Sequence, residues 1–63
     1  MQMSLKAWRV NAGYTQQDVA DIFEVSRQSV LNWENGEDPP KGLVIYAMAK
    51  LYKTEIDNIR VPS

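Results

Sequence analysis

Apolar residues recur along this chain at helical spacing. Leu5, Trp8, Arg9 and Ala12 fall at i, i+3, i+4 and i+7, so they share one face, and Gly13 supplies a stop. This predicts a first helix from about Ser4 to Ala12. Thr15 followed by Asp18 has the spacing of a capping box, in which the hydroxyl takes a backbone N–H of the next turn. Val19, Ala20 and Phe23 form the stripe behind it, predicting a second helix from about Gln16 to Glu24. Ser26 is suited to cap a third helix, with Val30 and Trp33 facing inward and Arg27, Gln28, Ser29 and Asn32 outward, until Asn35-Gly36 ends it. After the Pro-rich connection "EDPPKG", Val44, Ile45, Met48, Ala49 and Tyr52 mark a fourth helix, and Ile56 with Ile59 a short fifth. Strand alternation is absent, so the expected class is all-α with five helices.

Only Glu24, Val25 and Ser26 separate the second and third patterns. A gap this short fits the tight turn of a helix-turn-helix, with Val25 plugging the corner and small Ala20 at the close contact. A generic small helical bundle also uses short turns, and periodicity alone does not separate the two.

Composition narrows the chemistry. At 63 residues the chain is expected to be one domain, residues 1–63, with its large hydrophobes committed to packing and no deep catalytic cavity. It has no Cys, hence no disulfide framework or thiolate metal site, and no His, the commonest metal ligand and general base. No nucleophile, base or cofactor constellation stands out, so neither an enzyme nor a cofactor protein is expected. No apolar run reaches the length of a membrane span and no signal peptide is evident, which points to a soluble protein of a reducing cytoplasm without membrane partners. The net charge of −1 is unusual for a nucleic-acid binder, so the placement of the seven Lys and Arg residues matters more than their number.

The stretch "RVNAGYTQQDVADIFEVSRQSVLNWENG" resembles the repressor and Cro-type (xenobiotic-response-element) helix-turn-helix family. Arg9, Thr15, Gln16, Ala20, Val25, Ser26, Trp33, Glu34 and Gly36 all fall in register with its pattern. "AKLYKTEIDNI" resembles the last two helices of the family, so the likeness covers nearly the whole chain. It implies a five-helix, lambda-repressor-like domain. Two positions depart from the pattern: Glu24 stands where Gly is usual, at a turn that often needs left-handed backbone, and Leu31 where a small or polar residue is more common. Leu31 can meet a thymine methyl, pack on a partner, or simply be an isolated exposed side chain.

The resemblance implies a sequence-specific transcriptional regulator that lays its third helix in the major groove. Ser26, Arg27, Gln28, Ser29 and Asn32 then sit near base edges. Arg27 suits guanine O6 and N7 or a phosphate, and Gln28 or Asn32 suits adenine N6 and N7. Gln16 corresponds to the backbone-contacting Gln of the family, with Gln17, Asn35 and Lys41 as further phosphate contacts. Arg9 lies on an apolar face, where an unpaired charge is costly, and Glu34 is the family's partner for it, so a structural salt bridge rather than a DNA contact is expected. Trp8, Phe23 and Trp33 lie on core stripes, which argues against base stacking. One short helix reads too few base pairs to find a genomic site, so a homodimer on a two-fold symmetric DNA operator is expected, with Tyr52 to Val61 as its contact and no separate effector domain. The acidic balance leaves a second class of function open: an antirepressor or antitoxin of the same fold that acts by binding a repressor-type or other protein.

Overall fold

The computed structural model describes residues 2–61. Four α-helices follow one another: α1 (Leu5–Ala12), α2 (Gln16–Phe23), α3 (Arg27–Asn35) and α4 (Gly42–Leu51). Each of the first three starts where a hydroxyl can cap it. Ser4 accepts from the Ala7 amide, Thr15 from Asp18 and Ser26 from Ser29, and the Asp18 carboxylate returns the favour by accepting from the Thr15 amide. Their ends are equally local. Gly13, Glu24 and Gly36 all take left-handed backbone, which turns the chain out of the helix while their N–H groups still reach the last carbonyls. Ser4 and Glu24, expected inside their helices, are therefore the caps. Glu24 holds φ 56° with a Cβ present, a conformation that glycine adopts more cheaply.

The expected fifth helix is reduced to one 3-10 turn, Ile56–Asn58. Around it Lys53 is left-handed and Glu55 extended, and Ile59 must return to the core, so no run is long enough for an α-helical turn to propagate. The all-helical expectation needs a second correction: Met3–Ser4 (β1) and Ile59–Arg60 (β2) pair in parallel, Met3 opposite Ile59 and Ser4 opposite Arg60. Two-residue strands are too short to show alternation in sequence. The Trp8 indole N–H donates to the Asn58 carbonyl at 2.9 Å and Gln2 Nε2 to the Asp57 carbonyl at 3.1 Å, which fastens the C-terminal segment along α1.

One core joins all the helices. Leu5, Val19, Ala20, Val30, Trp33, Met48, Ala49, Tyr52 and Ile59 are buried, with Phe23 and Val25 packed against them. Ala20 is fully buried on α2, and Phe23 meets the Trp33 ring of α3 edge-on with centroids 6.3 Å apart. Deep burial on one side of α3 fixes which side chains its other face presents. No helix among the described residues is long and apolar enough to cross a membrane.

Candidate nucleic-acid interface

α3 buries Val30, Trp33 and the Glu34 carboxylate. At about 3.6 residues per turn the opposite side is centred on Gln28, with Asn32 and Asn35 beside it and Arg27, Leu31 and Ser29 on its flanks. Gln28, Arg27 and Asn35 are exposed, and Asn32 and Ser29 are half-buried. Arg27 is the only ionisable side chain on this face. The Gln28 amide donates to Asn32 Oδ1 at 2.9 Å, an i,i+4 contact that holds the two side chains together. Each amide has two N–H groups and a carbonyl with two lone pairs, so the contact leaves Gln28 one N–H and its oxygen, and Asn32 both N–H groups. A donor and an acceptor side by side are what the major-groove edge of adenine requires. Ser26 and Ser29 are turned to the cap: Ser26 Oγ accepts the Ser29 amide and lies 3.1 Å from Ser29 Oγ.

Beside this face opens a notch of about 550 Å³, whose wall includes Val10, Thr15, Gln16, Gln17 and Arg27. The capping box uses the amides of Thr15 and Asp18, so the Gln16 and Gln17 amides at the start of α2 have no helical acceptor. These N–H groups and the helix dipole favour an anion, opposed in part by the Asp18 carboxylate one turn on. Gln17 Nε2 donates to Asp21 at 2.8 Å, drawing that side chain along the outer face of α2. Asn35 Oδ1 accepts the Glu37 amide, leaving its N–H groups outward, and Lys41 caps α4 with an exposed, uncommitted ammonium.

Behind the notch lies a buried polar network. Arg9 Nε donates to Glu34 Oε2 at 2.7 Å and Arg9 Nη2 to Oε1 at 3.3 Å, with the two side chains 9% and 4% exposed. Arg9 Nη1 donates to the Tyr14 carbonyl at 3.0 Å. Glu34 also accepts from Gln16 Nε2 at 3.3 Å. Gln16 thus has one N–H directed inward to the carboxylate and a second left over, and the same bond ties the start of α2 to the end of α3. The Tyr52 hydroxyl lies near this network without any hydrogen-bond partner, and burial, reinforced by the Glu34 charge, pushes its pKa from 10.0 up to about 12.

The helix-turn-helix family model matches residues 5–59 of the chain. The chain belongs to the Cro- and repressor-type helix-turn-helix family. It is 32% identical over 59 residues to an uncharacterized HTH-type transcriptional regulator of Methanocaldococcus jannaschii, covering 94% of this chain and 89% of that relative. No solved structure matches it significantly. As a helix-turn-helix DNA-binding domain it is a non-enzymatic protein, and the fold is lambda-repressor-like with four α-helices and a 3-10 turn.

Four features of the site escaped the reading of the sequence. The Gln28–Asn32 and Gln17–Asp21 contacts are both i,i+4 pairs that helical spacing could have revealed. The Gln16–Glu34 bond carries no such signal, because it joins residues that only the turn at Glu24 brings together. The orphaned Tyr52 hydroxyl is likewise a product of tertiary packing.

Proposed function

We propose that the domain is a sequence-specific transcriptional regulator of the Cro or repressor type that binds a two-fold symmetric operator as a homodimer, with α3 in the major groove. The observation that carries this reading is the exposed Gln28–Asn32 pair, a fixed arrangement of amide donors and acceptor at the centre of the one face of α3 that the core leaves outside. Gln28 and Asn32 read base edges, Arg27 takes a guanine or a phosphate, and Ser26 and Ser29 lie close to the groove wall. The open amides at the start of α2, with Gln16, and the outward Asn35 and Lys41 grip phosphates on either side. Gln17 is the weakest of these contacts because Asp21 already holds it.

Cations are few on this face, so specificity must come from hydrogen bonding more than from charge. Selection from a randomised duplex library, with sequencing of the bound fraction, tests the reading. A recurring inverted repeat is the expected result. Failure to enrich any duplex at low salt would transfer the function to the antirepressor class, for which the acidic balance of the chain is the supporting observation.

A further inference from the structure

α3 carries one exposed hydrophobic residue, Leu31, at 38% exposure on a face otherwise made of amides, a hydroxyl and Arg27. At about 100° per residue it lies about 60° round the helix from Gln28 on the side of Arg27, whereas Asn32 lies about 40° on the other side. The 2.9 Å bond to Asn32 draws the Gln28 amide away from Leu31. The isobutyl group is therefore left open beside the amide pair, and its place between residues 28 and 32 sets it at their level along the helix.

We infer that Leu31 is a specificity-determining residue, which covers the C5 methyl of a thymine in each half-site, beside the adenine read by Gln28 and Asn32. The inference rests on the DNA-binding reading above and adds a base contact that hydrogen bonding does not supply. With α3 seated in the major groove Leu31 meets base edges, and a base donor or acceptor pressed against it loses water without gaining a partner. Thymine alone offers a methyl group there. Across an A·T pair the groove shows adenine N7 and N6, then thymine O4 and the methyl, so an amide pair flanked by an aliphatic chain matches polar and apolar groups of the same or adjacent base pairs. A G·C pair has donors and acceptors only, and would leave Leu31 uncovered. A protein surface packed on Leu31 would bury Arg27, Gln28 and Asn35 with it, side chains suited to a polar edge.

Deoxyuridine in place of each thymidine of the best selected duplex, one position at a time, removes the methyl and leaves every base hydrogen bond intact. At one position of a half-site the unaltered chain should bind about fourfold more weakly, and about fifteenfold with both half-sites substituted, as expected for one buried carbon at each. This series needs no variant and so is independent of folding. In Leu31→Ala the deoxyuridine penalty should vanish while discrimination at the positions read by Gln28 persists. Leu31→Met, which keeps an aliphatic chain, should retain most of the penalty. An unaltered chain indifferent to deoxyuridine at every position, or a penalty equally large in Leu31→Ala, would overturn the inference and leave DNA recognition standing. Failure to enrich any duplex would refute DNA recognition itself, and the role of Leu31 with it.

Discussion

Two groups of polar side chains lie on opposite sides of α3, and they differ in how completely they are engaged. On the inner side Arg9, Glu34, Gln16 and the Tyr14 carbonyl are joined by four hydrogen bonds around a buried ion pair. On the outer side Gln28 and Asn32 share one bond and keep the rest of their donors and acceptors open. The same chemistry serves two purposes. A buried charge must be satisfied within the chain, so the inner group fixes α1, α2 and α3 relative to one another. An exposed amide loses nothing by remaining incompletely paired, so the outer group is free to be completed by a ligand.

Removing one member should therefore have opposite consequences on the two sides. The largest expected effect is on the inner side: Glu34→Ala leaves Arg9 buried without its counterion and should destabilise the domain by about 3 to 5 kcal/mol, measured by urea denaturation. Joint replacement by apolar residues, Arg9→Met with Glu34→Leu, should recover a large part of that loss. If Glu34→Ala unfolds at the same urea concentration as the parent, the pair does not hold the helices.

The next effect sharpens the view of the inner side as a desolvated place. Because the Tyr52 pKa in the folded chain lies near 12, above its ordinary 10.0, the folded state keeps the phenol proton to higher pH than the unfolded state does. Its contribution is intact below pH 10 and is lost as the pH rises through 12, by about 3 kcal/mol in all. Tyr52→Phe should remove that part of the alkaline decline. At neutral pH it should leave stability equal or slightly higher, since the hydroxyl has no partner to lose. An identical alkaline decline in parent and variant would place the phenol in water.

On the outer side, Gln28→Ala and Asn32→Ala should change stability by no more than about 0.5 kcal/mol yet cost roughly 1 to 3 kcal/mol on a preferred duplex. Since the two amides are joined, their losses on DNA should be less than additive in a double-mutant cycle. Strict additivity would mean that they act separately. Gln16→Ala, which reaches both sides, should lower stability slightly and weaken all duplexes alike. The smallest expected effect lies at the turn between them: Glu24→Gly relieves the left-handed strain at φ 56° and should stabilise the domain by up to about 1 kcal/mol in thermal melts.

The contrast also explains what could be read from the chain alone. Caps, stops and apolar stripes are local, and Gly13, Thr15, Ser26 and Gly36 placed the helices of the binding unit to within a residue or so. The outward set on α3 was equally legible, because burying Val30 and Trp33 dictates what remains outside. The β1–β2 pairing was not, since Met3 meets Ile59 only after the whole chain has folded back. The fifth helix failed for a related reason: two isoleucines at helical spacing do not reveal that Ile59 is drawn into the core by its strand contact, beside the Asn58 carbonyl that the Trp8 indole holds. Nor could Gln16 be seen as a partner of Glu34, because the family register suggested only its outward role.

Salt tests the outer side alone. With Arg27 and Lys41 as the principal cations near the proposed DNA face, two to four phosphate neutralisations per subunit, roughly, should give a slope of log affinity against log salt of about −4 to −7 for a dimer. Arg27→Ala and Lys41→Ala should each make that slope shallower. A slope unaffected by either would place another surface on the duplex.

The most direct measurement of base reading by the outer face is the affinity of the parent and of Gln28→Ala for the best selected duplex and for its full set of single base-pair variants. The expected result is that Gln28→Ala loses discrimination at one or two positions of each half-site and retains it elsewhere. Equal weakening on every duplex, with the parent's sequence preference intact, would contradict a recognition role for this face of α3.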